Sequence, residues 1–248
     1  MSIVIEAIHG KSDRNVIEAF IVFLRRNGYP SLYIEEWPED RNRNLREIDA
    51  IAGRFAIEHT SIDTIREQRR NSDWFMKAIG SLKEELEKKI FFRLTITIAH
   101  DAVSKGQRWK EIHKAIKNYI LDTVPSLSDG QHTIDKIADV PFPLQITKAS
   151  HRPPGIFIYR TVPSDETLPV RIKALFDDKA KKLERYKIEN FTTVLLVENN
   201  DLALMNDSIM YESIKNAYPA GIPTSVDQLW YADTSLPRNV EFKLYSGI

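Results

Sequence analysis

The chain has 248 residues, 42% of them hydrophobic and 28% charged. That length can bury a substantial core, and those proportions exclude a disordered chain, a collagen-like fibre and a disulfide miniprotein. Thirty-five Lys and Arg balance thirty-five Asp and Glu, so no global basic field draws the chain to nucleic acid, and phosphate binding needs a local patch.

Residues 12–27 read as a helix, with Ser12 or Asp13 as cap, Gly28 beyond the end, and Val16, Phe20, Phe23 and Leu24 on one face. Tyr29–Pro30 breaks the pattern, 31–37 alternates as a strand, and 38–44 is a charged loop. Strands are expected over 48–52 and 55–62, with Gly53–Arg54 as a tight turn between them. An arginine-rich stretch, 63–71, leads to a helix at 73–90 and a β-rich run at 92–99. The order helix, strand, strand, strand, helix, strand suggests a mixed sheet flanked by helices. Further on, a helix is expected over 107–121, a loop over 122–143, and strands at 144–149 and 156–160 that could pair with each other. A long helix at 168–188, a strand at 193–198, a helix near 207–217 and strands near 226–232 and 240–245 complete the reading. No linker is visible, so the division is a core over 1–102 and an α/β elaboration over 103–248 packed on the same domain.

The stretch Glu47–Thr60 carries the most chemistry. A two-residue turn at Gly53–Arg54 places Ala52 opposite Phe55, Ile51 opposite Ala56, Ala50 opposite Ile57 and Asp49 opposite Glu58. Opposed residues share a face with Cβ atoms about 4.5–5.5 Å apart, so two carboxylates there repel unless something compensates. A hard divalent cation, Mg²⁺ or Mn²⁺, reverses the sign of that interaction. The competing reading is a solvated acidic pair, or one paired with Arg46 and Arg54. His59 alternates to the other face, and only its carbonyl would be near such a metal.

Helix, strand, "Ile-Asp-Ala-Ile-Ala-Gly", "Phe-Ala-Ile-Glu-His-Thr", helix and strand resemble the αβββαβ core of the PD-(D/E)XK nuclease superfamily, the restriction-endonuclease-like fold, over about residues 12–100. The resemblance implies an α/β fold with an elaborated C-terminal half, metal ligation by Asp49 and Glu58, and hydrolysis of nucleic-acid phosphodiesters, DNA in particular. The family's third-strand motif ends in Lys, where this chain has Thr60, so only a neutral hydroxyl is offered there. Family members often carry a first-helix Glu that completes the site, which would fall on Glu18; the alternative is a solvated or arginine-paired Glu18.

A replacement for the motif lysine is available at Lys179. It lies in the apolar stripe Ile172, Leu175, Phe176, Leu183 and Tyr186 of the 168–188 helix, where an ammonium needs an acidic or phosphate partner or must snorkel outward. The same helix carries Arg171, Lys173, Lys181, Lys182, Arg185 and Lys187, which read either as a phosphate-contacting ridge or as a solvated face. The cluster Glu198-Asn199-Asn200-Asp201 follows an apolar strand and reads as polar caps or as one edge of a cleft.

Other chemistries lack a signature. With no cysteine, disulfides, thiolate catalysis and cysteine-ligated metals are out. There is no Gly-x-Gly-x-x-Gly, Walker loop or Gly-x-Ser-x-Gly elbow. No apolar run approaches the roughly 20 residues that span a bilayer, and the N-terminus lacks a signal-peptide pattern, so a cytoplasmic protein without a membrane partner is expected. The expectation is thus a Mg²⁺- or Mn²⁺-dependent nuclease, for which a homodimer is one open arrangement. The competing class is the same fold without its lysine, binding nucleic acid or a protein partner and cutting nothing.

Overall fold

A computed structural model describes residues 13–41, 47–161, 165–201, 204–236 and 239–247. The chain begins with α1 (Asp13–Arg26), whose Val16, Ile17, Phe20, Phe23 and Leu24 bury together at helical spacing. A short helix, α2 (Pro38–Arg41), precedes the hairpin of β1 (Ala50–Ala52) and β2 (Phe55–Ser61). Next come α3 (Gln68–Ile79), α4 (Leu82–Leu86), β3 (Arg93–Ala99) and α5 (Trp109–Asp122). After a 3₁₀ turn at Val124–Ser126 follow β4 (Gly130–Ile134), β5 (Leu144–Ala149) and β6 (Gly155–Thr161). The chain ends with α6 (Leu168–Ile188), β7 (Thr192–Asn199), α7 (Asp207–Ala217), β8 (Gln228–Asp233) and β9 (Glu241–Tyr245).

The architecture is α/β, with two mixed sheets and helices against them. One sheet has the order β1-β2-β7-β8-β9, the other β4-β5-β3-β6. Two compact units correspond to them. The first holds the described residues up to Arg66 and from Asp165 onward; the second holds those from Glu67 to Thr161. In the first unit the two chain crossings lie together: Arg66 N donates to Asp165 at 3.0 Å, and Arg171 forks onto the carbonyls of Asp63 and Thr64 at 2.7 Å each. The second unit is therefore an insertion between β2 and α6.

This differs from the expected arrangement in several places. The strand 92–99 exists as β3, but it joins the second sheet, and β7 is what pairs in parallel with β2. Residue 102 is accordingly no boundary between the compact units, which meet in sequence at 66–67 and 164–165. Strands β5 and β6 do not pair with each other; β3 lies between them, antiparallel to β5 and parallel to β6. The 122–143 loop contains β4, which pairs antiparallel with β5. The 73–90 helix is two helices, interrupted at Gly80–Ser81, where glycine's backbone freedom lowers helix propensity. The expected strand 31–37 makes one isolated antiparallel bridge, Glu36 to Ile51, since β1 beside it is short and Pro30 and Pro38 bound the segment. Residues 42–46, including Arg46, lie outside the described residues.

The first unit places helices on both faces of its sheet. Helix α1 buries Phe20 and Ile17 against Ala50, Ala52, Phe55, Ile57, Val194 and Leu196. Helices α6 and α7 bury Ile172, Phe176, Leu183, Met210 and Ile214 against Ala56, Leu195, Val197 and Leu229. Alternation along β2 therefore sends Phe55 and Ile57 toward α1, and Ala56 toward α6. Among the described residues no helix is long and apolar enough to cross a membrane.

Candidate active site

The β1–β2 hairpin has the register expected from its two-residue turn: Ala50 to Ile57, Ile51 to Ala56 and Ala52 to Phe55. Gly53 takes φ +52°, a left-handed conformation that a side chain would strain, which is what a turn this tight requires. One step beyond the last pair are Asp49 and Glu58. The Oδ2 of Asp49 accepts from the backbone N–H of His59 at 2.6 Å, which anchors its carboxylate beside β2.

Glu58 is fully buried on the α6 face of the sheet. Its Oε1 receives Lys179 Nζ at 2.5 Å and lies 2.9 Å from Lys182 Nζ, while Oε2 is buried with no hydrogen-bond partner. Loss of hydration by burial and repulsion from Asp49 push the Glu58 carboxyl up to about 7, against the lowering pull of the two lysines. For Lys182, burial lowers the pKa, but Glu58, Asp49 and Glu39 together outweigh it and hold the ammonium above its ordinary value. Lys182 therefore stays charged across the range in which Glu58 exchanges its proton.

Helix α6 delivers these groups from one side. Positions 179, 182 and 186 follow one another at helical spacing beside the buried stripe Ile172, Phe176, Ala180 and Leu183. Tyr186 donates to Glu47 at 2.8 Å, next to the start of the hairpin, so the helix is tied to the acidic segment at both ends of this row. Lys179 thus has the acidic partner that its place in the apolar stripe demands.

The structure brings Asp49, Glu58 and Lys179 together. Thr60 is buried two residues after Glu58 and so shares its face. Glu18 is exposed on α1, the helix that covers the opposite face of the sheet, and is not gathered with them. Lys182 belongs with the site, although in the sequence it is one of a run of basic residues. Its spacing three residues after Lys179 is the signal that could have singled it out. Most of that basic run is engaged within the protein: Arg171 with Asp165, Lys173 with Asp177, Arg185 with Glu189, and Lys187 with Asp227.

On the other face, His59 meets Asp13 and Glu198, a grouping that single-element patterns do not indicate. The polar end of β7 therefore contributes Glu198 to an interior contact, while Asn199 donates to the Tyr231 hydroxyl at 2.9 Å.

The two carboxylates, Glu58 with one unpaired buried oxygen, form a donor set of hard oxygens, which suits Mg²⁺ or Mn²⁺. Comparisons of the chain with protein-family models, with curated proteins and with solved structures return no match.

Proposed function

We propose that this chain is a metal-dependent nuclease of the PD-(D/E)XK type that hydrolyses nucleic-acid phosphodiesters. The observation that carries the reading is Glu58: buried beside Asp49, held at one oxygen by Lys179 and unpaired at the other. The connectivity supports it too. Helix α1, the bridged segment at Glu36, β1, β2, α6 and β7 follow the order αβββαβ of the restriction-endonuclease-like core, once the one-turn helix α2 and the unit inserted after β2 are set aside.

Asp49 and Glu58 would hold the ion, which when bound polarises the scissile phosphate and lowers the pKa of a water. Lys179 fills the charge role of the motif lysine that Thr60 lacks: its ammonium is fixed at the carboxylate, ready to stabilise negative charge growing on phosphoryl oxygens. The Thr60 hydroxyl orients the attacking water or a phosphate oxygen. Burial of Glu58 excludes bulk water and strengthens each of these interactions. DNA as the substrate rests on the family resemblance.

The test is cleavage of plasmid DNA and of single-stranded RNA and DNA with Mg²⁺ or Mn²⁺. The expected result is ion-dependent cleavage that falls at least 100-fold in Asp49→Asn. Absence of cleavage of every substrate with either ion overturns it.

One observation favours a second reading. Lys179 and Lys182 already pair with one oxygen of Glu58, so cations of the protein itself stand where a metal would. A chain of this fold that binds nucleic acid or a protein partner without cutting is the corresponding function. Calorimetry separates the two, since the second reading has no Mg²⁺ or Mn²⁺ binding that depends on Asp49 and Glu58.

A further inference from the structure

We infer that Asp13, His59 and Glu198 form a site for a divalent transition-metal ion on the α1 face of the sheet. This site does not rest on Asp49 or Glu58 acting as ligands.

The three residues come from three elements. His59 lies near the end of β2, Glu198 near the end of the neighbouring parallel strand β7, and Asp13 in the first turn of α1. One donor atom from each lies within 4.8 Å of the others. His59 Nε2 is 3.3 Å from Glu198 Oε2, while the 3.7 Å approach of Asp13 Oδ1 is to Nδ1, the other ring nitrogen, so an ion held at Nε2 meets Asp13 across the 4.8 Å spread of the group. Ligands held at about 2.1 Å from a common ion lie roughly 3.0–3.4 Å apart, so the His59–Glu198 spacing matches one edge of a coordination polyhedron.

The imidazole supplies the second, independent observation. Its side chain is only 2% exposed, and Nε2 is buried without a hydrogen bond although Glu198 is at 3.3 Å. The short distance without hydrogen-bond geometry means that Glu198 is not serving as the acceptor for that ring nitrogen. A cation there would satisfy the ring nitrogen, which burial otherwise leaves unpaired. Glu198 is already braced as a ligand would be. Thr234 Oγ1 donates to its other oxygen, Oε1, at 2.5 Å, the kind of outer contact that orients a ligating carboxylate.

The chemistry selects the ion class. One imidazole nitrogen and two carboxylates form a mixed donor set for Zn²⁺ or its first-row neighbours, unlike the all-oxygen pair on the opposite face. Three protein donors leave coordination positions for water. Asp13, with its side chain 76% exposed, is the side from which an ion enters. A bound ion would fasten the start of α1 to the ends of β2 and β7.

The test titrates Zn²⁺ into chelator-stripped full-length Asp49→Asn protein, with calorimetry and ¹⁵N spectra of the histidine rings as readouts. That background disables the proposed active site, so the two readings fail separately. One Zn²⁺ should bind, with a shift of the His59 ring nitrogens, and the melting temperature should rise with Zn²⁺. Adding Asp13→Asn, at an exposed position where folding is not at stake, should weaken binding at least tenfold, and Glu198→Gln likewise. No binding in the Asp49→Asn background, binding without a His59 shift, or affinity indifferent to Asp13→Asn each overturns the site.

Discussion

Lys179 Nζ lies 2.5 Å from the Oε1 of Glu58, a residue 121 positions earlier in the chain. A helix supplies the ammonium and a strand the carboxylate, so their meeting depends on α6 packing over β2. Replacing Lys179 with Met removes one of two cations from a buried anion. Lys182 remains at 2.9 Å, so the expected loss is about 1–3 kcal/mol at pH 8, measured by urea unfolding. Under the proposed function, cleavage falls at least 100-fold. Unchanged stability at pH 8 would show that the pair carries no weight.

If Lys179 stands in for the motif lysine, moving the charge back to β2 restores function. Thr60 is buried on the same face as Glu58. The double variant Thr60→Lys with Lys179→Met should recover at least a tenth of the cleavage lost in Lys179→Met alone, with thermal melts confirming that it folds. A folded double variant no more active than Lys179→Met contradicts the substitution of roles.

Glu58 makes a pH prediction with a definite sign. Its carboxyl stands at about 7 in the folded chain against 4.5 ordinarily, chiefly through burial and secondarily through Asp49. A carboxyl whose pKa is raised by folding favours the folded state at low pH. That contribution is complete below pH 4.5 and is lost as pH rises through about 7. At about 1.36 kcal/mol per unit the loss is on the order of 3 kcal/mol. Metal-free stability from this group should therefore decline between about pH 4.5 and 7, and the slope should vanish in Glu58→Gln. Under the proposed function Mg²⁺ would displace the same proton, so its affinity should rise over that interval. Calorimetry in buffers of differing ionisation enthalpy reads the released proton.

The α1 face of the sheet depends on an aromatic cluster. Phe20 is fully buried, with its ring 5.2 Å from that of Trp230 and 5.3 Å from that of Phe242. Phe20→Ala should cost about 3–5 kcal/mol in urea unfolding followed by Trp fluorescence. A cost below about 1 kcal/mol would mean that α1 is not docked as described.

Much of the first unit can be read in the chain because its signals are local. The helical stripe of α1, the turn at Gly53–Arg54 and the run of α6 each depend on neighbours in sequence. The placement of β3 is the principal difference from expectation, though a clue is present. In Arg93–Ala99, Leu94, Ile96 and Ile98 are buried while Arg93, Thr95 and Thr97 are half-exposed, the alternation of a sheet with one covered face. Strand β7 instead buries Thr193 through Val197 without a break, as a central strand between two helical layers does. The apolar content of the two runs is similar; their periodicity distinguishes them. Lys182 is hard to single out because a charge run on a helix looks alike whether it faces solvent or a buried acid.

The chain alone determined the hairpin register, and with it the shared face of Asp49 and Glu58, because a two-residue turn and the period-2 alternation of strands leave no other arrangement. Only the tertiary structure decided which strand would lie parallel to β2, and hence that Lys179 and Lys182 would reach Glu58 on one face while Asp13 and Glu198 met His59 on the other. A parallel partner arrives by a crossover whose length is not limited locally, here long enough to hold a whole inserted unit, so no spacing within either strand encodes the pairing.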